Sequence, residues 1–300
     1  MKTKDQILLE EAYKSITEAD SILVPRRSKE DRNKNLKVTT LMKIKEYIKN
    51  GSKGHLDLSN TPVTTLPDNL KVRGDLNITN TPITTLPKGL IVEQRFILEQ
   101  SMVTSIPNDT KVGWSIYAQY SSIASLPDNL VLKGTLNVTE TLIKFLPKGL
   151  RVEGDIFLAD TQITSIPPGT VIGGNLNLHG TLITSLPDGL VVKGGLYIAD
   201  TEIGTLPNNL TVGGALNLTR SKITTLPKDL KVFGSLILTK SSITSLPDNF
   251  NVGGDLNLKD SKIESLPKGL KVKGAIMLHG TPAASKPLPD DLKVSGQIYR

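Results

Sequence analysis

Apolar residues in this chain return at fixed places every twenty positions. From Thr61 to Gly280 the chain divides without a gap into eleven units with the skeleton T-x-I-T-[ST]-L-P-x-x-L-x-V-x-G-x-L-x-L-x-x. TLITSLPDGLVVKGGLYIAD (181–200) and TEIGTLPNNLTVGGALNLTR (201–220) are adjacent examples. The L-x-V-x-G-x-L-x-L half alternates with period two, so Leu190, Val192, Leu196 and Ile198 point to one side and the residues between them to water. Ile183 and Leu186 complete a ring of six inward side chains. The pattern predicts two short parallel strands per unit, with Gly194 permitting the corner between them and the L-P step making a turn with proline at its second position. A fixed period of this length is the mark of a solenoid.

The expected architecture is mainly β: a parallel solenoid of about 12 coils. KGHLDLSN (53–60) supplies the end of a preceding coil, and a last coil from Thr281, TPAASKPLPDDLKV, carries two extra residues before the register resumes. At about 4.8 Å per coil the stack is roughly 50 Å long. Before it, residues 4–19 read as an amphipathic helix through Ile7, Leu8, Ala12, Tyr13 and Ile16. A second helix runs from about 36 to 50 through Leu41, Ile44, Tyr47 and Ile48, and VPRRSKEDRNKN between the two reads as a charged connector. Residues 1–52 are therefore expected to form a helical N-terminal cap on a solenoid of residues 53–300, since the first coil otherwise shows its core and a strand edge to water. The other end, LKVSGQIYR, has no polar cap in sequence. Its coil is expected to be covered by a second copy, giving a homo-oligomer.

The first place of every unit is Ser or Thr, from Thr61 to Ser261. A hydroxyl kept at one bend predicts hydrogen bonds to backbone groups there. A flat ice-binding threonine array is the rival reading, and Lys144, Gly204 and Glu264 in the neighbouring columns break it up.

The run L-x-L-x-x-T-x-I-x-x-L-P-x-x-L, as in LNLTRSKITTLPKDL (216–230), resembles the short leucine-rich repeat of bacterial type III secreted effectors, and is similar to twenty-residue arrays of tailed-phage proteins. The likeness covers about residues 53–300. It implies a leucine-rich-repeat fold and a protein-binding role, with a host protein as partner and the host cytoplasm as location. The chain departs from the usual repeat in having Ser or Thr where Asn stands, and in its L-x-V-x-G second strand. Some effectors of that group add a ubiquitin-ligase domain with a catalytic cysteine, and this chain has no cysteine. KDQILLEEAYKSI is similar to the openings of small phage proteins.

Composition narrows the chemistry. The absence of cysteine removes disulfides and thiolate chemistry, and His55, His179 and His279 are far apart, so no metal site and no cofactor are expected. No set of acids, bases and nucleophiles converges, and an enzyme is not expected. The opening residues hold no signal peptide and no membrane span. A net charge of +7 and a pI of 9.3 raise nucleic acid as a partner. Outward basic residues Lys71, Arg73, Lys111, Lys133, Arg151, Lys193, Lys231, Lys271 and Lys273 form a stripe, but Glu93, Glu153, Val131, Val171 and Val191 interrupt it. Nucleic acid is for that reason an unfavoured partner.

Candidate contacts come from two irregularities. The residue between the two strand leucines runs Asn77, Ile97, Tyr117, Asn137, Phe157, Asn177, Tyr197, Asn217, Ile237, Asn257, Met277, an alternation of amide and large apolar side chain that predicts a contact column with amides free for hydrogen bonds. In KVGWSIYAQY (111–120) the only tryptophan of the chain takes the corner glycine's place, as Gln94 does one coil earlier. Gly113, one place early, offers a relocated corner that turns Trp114 outward. Phe96, Trp114, Tyr117 and Tyr120 gather on adjacent coils with Arg95, Gln100 and Gln119. Aromatic and arginine anchors are what protein interfaces use, so the predicted partner site is Arg95, Trp114, Tyr117, Tyr120, Phe157 and Tyr197. Capture of a small ligand such as a nucleotide by the aromatic cluster, and a structural role in a virion, are the competing readings.

Overall fold

The computed structural model describes residues 29–300, with side chains from residue 34. The helix expected over residues 4–19 lies outside the described residues. Helix α1 spans Lys29–Lys49, beginning inside the stretch assigned above to a connector. From Lys29 on, that stretch lacks apolar periodicity but also lacks glycine and proline, and its lysines, glutamate and arginine are good helix formers. Val38 and Ile44 are buried, and Ile44 belongs to the same apolar cluster as Leu56 and Leu58 of the first coil. The Tyr47 hydroxyl lies 2.8 Å from the Ser52 carbonyl oxygen and 2.9 Å from that of Gly54, fixing the chain where helix gives way to solenoid.

Each coil contributes two strands of two residues, such as Val191–Val192 and Leu196–Tyr197. They pair in parallel with their equivalents twenty residues away: Leu176 with Leu196 and Leu196 with Leu216. One sheet of 13 strands runs unbroken from Leu56–Asp57 to Ile298–Tyr299. The other is interrupted: three strands, the last Lys111–Val112, are separate from nine that begin at Val131–Leu132. The six inward columns close on a single core running the length of the stack. In the coil 181–200, Ile183, Leu186, Leu190, Val192, Leu196 and Ile198 are all buried.

The column of Ser and Thr closes the bend after each strand of the unbroken sheet. Thr141, Thr161 and Thr181 donate their hydroxyls to the carbonyl three residues back, each at 2.7 Å. The residue just before that place is left-handed in coil after coil, with φ of 56° at Asp160 and 57° at Arg220; the short hydroxyl bond braces the turn where Thr161 makes it, whereas the hydroxyls of Ser101, Ser221 and Ser261 are buried without a partner. At the other bend the proline stands first, not second: Thr110 donates its N–H to Pro107 O at 3.0 Å and Leu230 to Pro227 O at 3.3 Å. Asn209 and Gly189 then supply the left-handed third place. The last coil keeps the twenty-residue step through its 3-10 turn, Pro282–Ser285, where Ala283 N–H donates to Ile263 O at 3.1 Å; its two extra residues follow that turn, and Lys293 pairs with Lys271.

The corner glycine is required for a different reason from the one expected. Gly154 is not left-handed; a Cβ on it would stand 2.7 Å from Gly134 O and 2.8 Å from Gly134 C in the preceding coil. Backbone lies directly on backbone there, with Gly154 N–H donating to Gly134 O at 3.1 Å. Proximity, not conformational freedom, selects the residue.

Candidate functional site

Trp114 sits at that crowded corner. The corner has not relocated toward Gly113, because the strands Lys111–Val112 and Ile116–Tyr117 keep their usual places. The indole is 48% exposed and lies over Gly134 of the next coil, where a Cβ would meet its Cδ1 at 2.6 Å and Nε1 at 2.7 Å. The glycine is a shelf for the ring. The interrupted sheet breaks at this same coil, between Val112 and Val131, although the corner itself stays bonded, Trp114 N–H to Gln94 O at 3.2 Å and Gly134 N–H to Trp114 O at 2.8 Å. The coil carries further costs. Thr110 replaces the usual inward leucine and its hydroxyl is buried without a partner, as is Gln119 Oε1; Ala118 fills a place held elsewhere by Leu, Ile or Val.

The other predicted residues separate into groups. Tyr117, Phe157 and Tyr197 stand in one column of the unbroken sheet, with Asn137 and Asn177 paired between them. Two coil steps put them roughly 10 Å apart. Tyr197 does not project freely: its ring folds back over Gly195 of its own coil, where a Cβ would lie 2.8 Å from the phenol oxygen. The asparagines have a structural use. Asn137 and Asn177 Oδ1 accept the N–H two residues on, at 3.1 and 3.0 Å, so their carbonyl halves start the bend and are not free for a partner. Tyr120 is 55% exposed and left-handed, φ 60°. It lies three residues past Tyr117 as Trp114 lies three before, so the two flank the column from opposite ends. Phe96 is fully buried in the core and takes no part in the surface.

Arg95 leans on the acid one coil below. Its Nε lies 3.1 Å from both oxygens of Asp75 and a terminal nitrogen 2.6 Å from Oδ2, while its backbone N–H donates to Asp75 Oδ1 at 3.0 Å. The guanidinium hydrogen bond holds the Asp75 carboxyl below the ordinary carboxylate range against the opposing effect of burial. Tyr117 lies close enough to Arg95 to add to its field. A second acid-base pair, Arg220 with Asp200, occupies the left-handed bend further along and lowers the Asp200 carboxyl, aided more weakly by His179. Asp155 and Asp255 each accept the N–H of the residue twenty on, at 2.6 and 2.8 Å.

Two exposed aromatics escape the sequence reading. Phe145 is 70% exposed and is the single exception in a column that is Ser or Thr from Thr65 to Ser285. Phe233, 64% exposed, is the one aromatic among the lysines, acids and glycines of its column. The signal for both was a column broken by one residue type. Met102, Leu142 and Leu182, exposed in one column on alternate coils, add apolar surface to the bend that carries Phe145. Among the described residues no group of three His, Cys, Asp or Glu is placed to hold a metal, and no helix is long and apolar enough to cross a membrane.

The solenoid is similar to a solved structure, YopM, a leucine-rich effector protein from Yersinia pestis. The two superpose with a TM-score of 0.50 at 15% identity, over 97% of this chain and 99% of that one. The fold is a leucine-rich-repeat solenoid. YopM from Yersinia enterocolitica is 18% identical with a TM-score of 0.42, over 97% of this chain and 78% of the other. A Shigella effector leucine-rich-repeat domain is 17% identical with a TM-score of 0.38, over 71% and 86%. No family model matches the chain, and no curated protein matches it.

Proposed function

We propose that this leucine-rich-repeat solenoid is a non-enzymatic protein-binding module, that its partner is a host protein, and that it is encoded by a phage or bacterium. The observation that carries the reading is the register of the unbroken sheet, which stacks Tyr117, Phe157 and Tyr197 in one outward column with Arg95 alongside. Trp114 at one end of the strand and Tyr120 at the other widen the column into a face. Aromatic anchors on a preorganised scaffold lose little rotamer freedom on binding, which is why a few of them carry most of an interface's affinity. The coil 101–120 gives up sheet pairing and buried hydrogen bonds to present its aromatics, the departure from local consistency that marks functional positions. The neighbouring effectors lend the class of partner.

The test is affinity capture from host lysate with the full chain and with a Trp114→Ala, Tyr117→Ala double variant, both checked for an unchanged far-ultraviolet spectrum. Loss of one defined partner by the variant supports the face. Equal recovery of every partner removes it.

A further inference from the structure

The interrupted sheet carries a second surface at the opposite end of the stack from α1. Its nine-stranded part borders a groove of about 580 Å³ lined by five lysines, Lys228, Lys231, Lys271, Lys273 and Lys293, with Phe233 among them and no carboxylate or arginine in the lining. Among the described residues none of these lysines pairs with an acid. The adjoining turns carry four carboxylates, Asp229, Asp248, Asp290 and Asp291, none of which lines the groove; Asp229 accepts the Asn209 N–H at 2.7 Å and Asp291 the Gly269 N–H at 2.9 Å. The acids that interrupt the basic stripe, Glu93 and Glu153, belong to the earlier coils, where Lys71 pairs with Glu93 at 2.9 Å. From Val171 onward the two outward columns of this strand hold no acid at all.

The column through Phe233 reads Lys193, Gly213, Phe233, Gly253, Lys273, and the register of the neighbouring valines places these residues on successive coils. Both glycines are imposed by packing, since a Cβ on Gly213 or Gly253 would stand 2.0 or 1.9 Å from a carbonyl oxygen below. Their effect is to clear both flanks of the phenyl ring for roughly one coil spacing each. A planar ring can then lie flat against Phe233, within reach of lysines on either side.

Protein interfaces favour arginine and are depleted in lysine, so this lining suits a different ligand. Lysine is a mobile point charge that meets a phosphate wherever it stands. A cationic groove with an aromatic platform is how single strands are held without regard to sequence. We propose that the groove binds single-stranded nucleic acid, one base stacked on Phe233 and the backbone phosphates on Lys231, Lys271, Lys273 and Lys293. The site spans about four nucleotides. It lies on the other strand of the coil from the aromatic column, and its failure leaves the protein-binding reading untouched.

Fluorescence anisotropy of a labelled oligothymidylate with the full chain, across a salt series, tests this. Four phosphate contacts give a slope of log affinity against log salt of about −3, and each Lys→Gln substitution at Lys231 or Lys271 removes about 0.7 of it. Phe233→Ala lowers affinity about tenfold with the slope unchanged, and Lys71→Gln, distant in the stack, alters neither. A duplex of the same length binds more weakly because its bases are not free to stack. The proposal is overturned if duplex and single strand bind equally, if Phe233→Ala is silent, or if polyglutamate displaces the oligonucleotide at equal charge; the last result assigns the groove to an acidic protein segment.

Discussion

Trp114 is the single indole of the chain and rests on a glycine, which makes it a local reporter. Gly134→Ala pushes a methyl to 2.2 Å from the buried Ser115 Oγ and 2.6 Å from Trp114 Cδ1, and the expected outcome is a red-shifted tryptophan emission with some loss of stability, because the exposed ring can give way while the Ser115 hydroxyl is held by the Thr135 N–H. Gly154→Ala instead drives a methyl into the Gly134 backbone, which cannot yield. It is expected to cost about 1–3 kcal/mol in urea unfolding and to leave the emission nearly unchanged. Asp75 supplies a pH-dependent contrast. Its folded pKa is depressed, so its contribution is complete above the ordinary carboxylate range and is lost as pH falls through the lowered value. Wild type is expected to lose more stability than Asp75→Ala between neutral pH and acid, as urea midpoints at a series of pH values will show. At neutral pH the variant leaves the Arg95 N–H unpaired, at a cost of about 1–3 kcal/mol. At this scale the Ser and Thr column was legible as a bend, and its backbone bonds are made at Thr141, Thr161 and Thr181 but not at Ser101, Ser221 and Ser261. The corner glycine was legible as a place but not as a cause: what forbids its Cβ belongs to a different coil, twenty residues away. Nor could the asparagines be assigned from sequence, where an amide that starts a bend and one that faces a partner look alike.

At the scale of elements, α1 and the broken sheet make separable predictions. Ile44 carries the helix into the core, so Ile44→Asp should lower Tm by several degrees and raise exchange in the coil 53–72 before the later coils. The seam in the interrupted sheet predicts the reverse locality. The amides of Arg151 and Glu153 are bonded to Leu130 and Leu132 at 2.9 Å, whereas Val131 opens a separate sheet. Hydrogen exchange at Val131 and Lys133 is expected to be at least tenfold faster than at Arg151 and Glu153, and equal protection would show the two sheets to be continuous. Strands were readable because alternation of period two is hard to satisfy any other way. The start of α1 was not, since KEDRNKN has helix propensity without an apolar face, and pattern alone weighs only the face.

The whole molecule behaves as a line of nearest neighbours. Each coil touches two others, so a cavity at mid-stack weakens both contacts: Leu176→Ala should cost about 2–5 kcal/mol and broaden the denaturation curve more than a substitution in the last coil. The number of coils and their parallel stacking were fully legible, being set by the repeat itself. The two surfaces were less so. The aromatic column could be written down from the period, but separating Trp114 from Tyr120, burying Phe96 and finding the lysine groove needed the path of the chain around each corner. A basic stripe that looked patchy along the sequence divides in space into a half that contains acids, with Lys71 paired to Glu93, and a half that contains none.

A ladder that advances by whole turns also limits how such a chain can change length. An insertion or deletion of one complete turn leaves every remaining pair matched, while a shift of a few residues rotates leucines into water unless a bend takes up the slack. The two extra residues just past the turn Pro282–Ser285 show where the slack is taken up: on the segment between strands, outside both ladders. Growth of the array is thus quantised. Duplication is a mild edit to it, whereas a frame-preserving loss of three or four residues within a strand is a severe one.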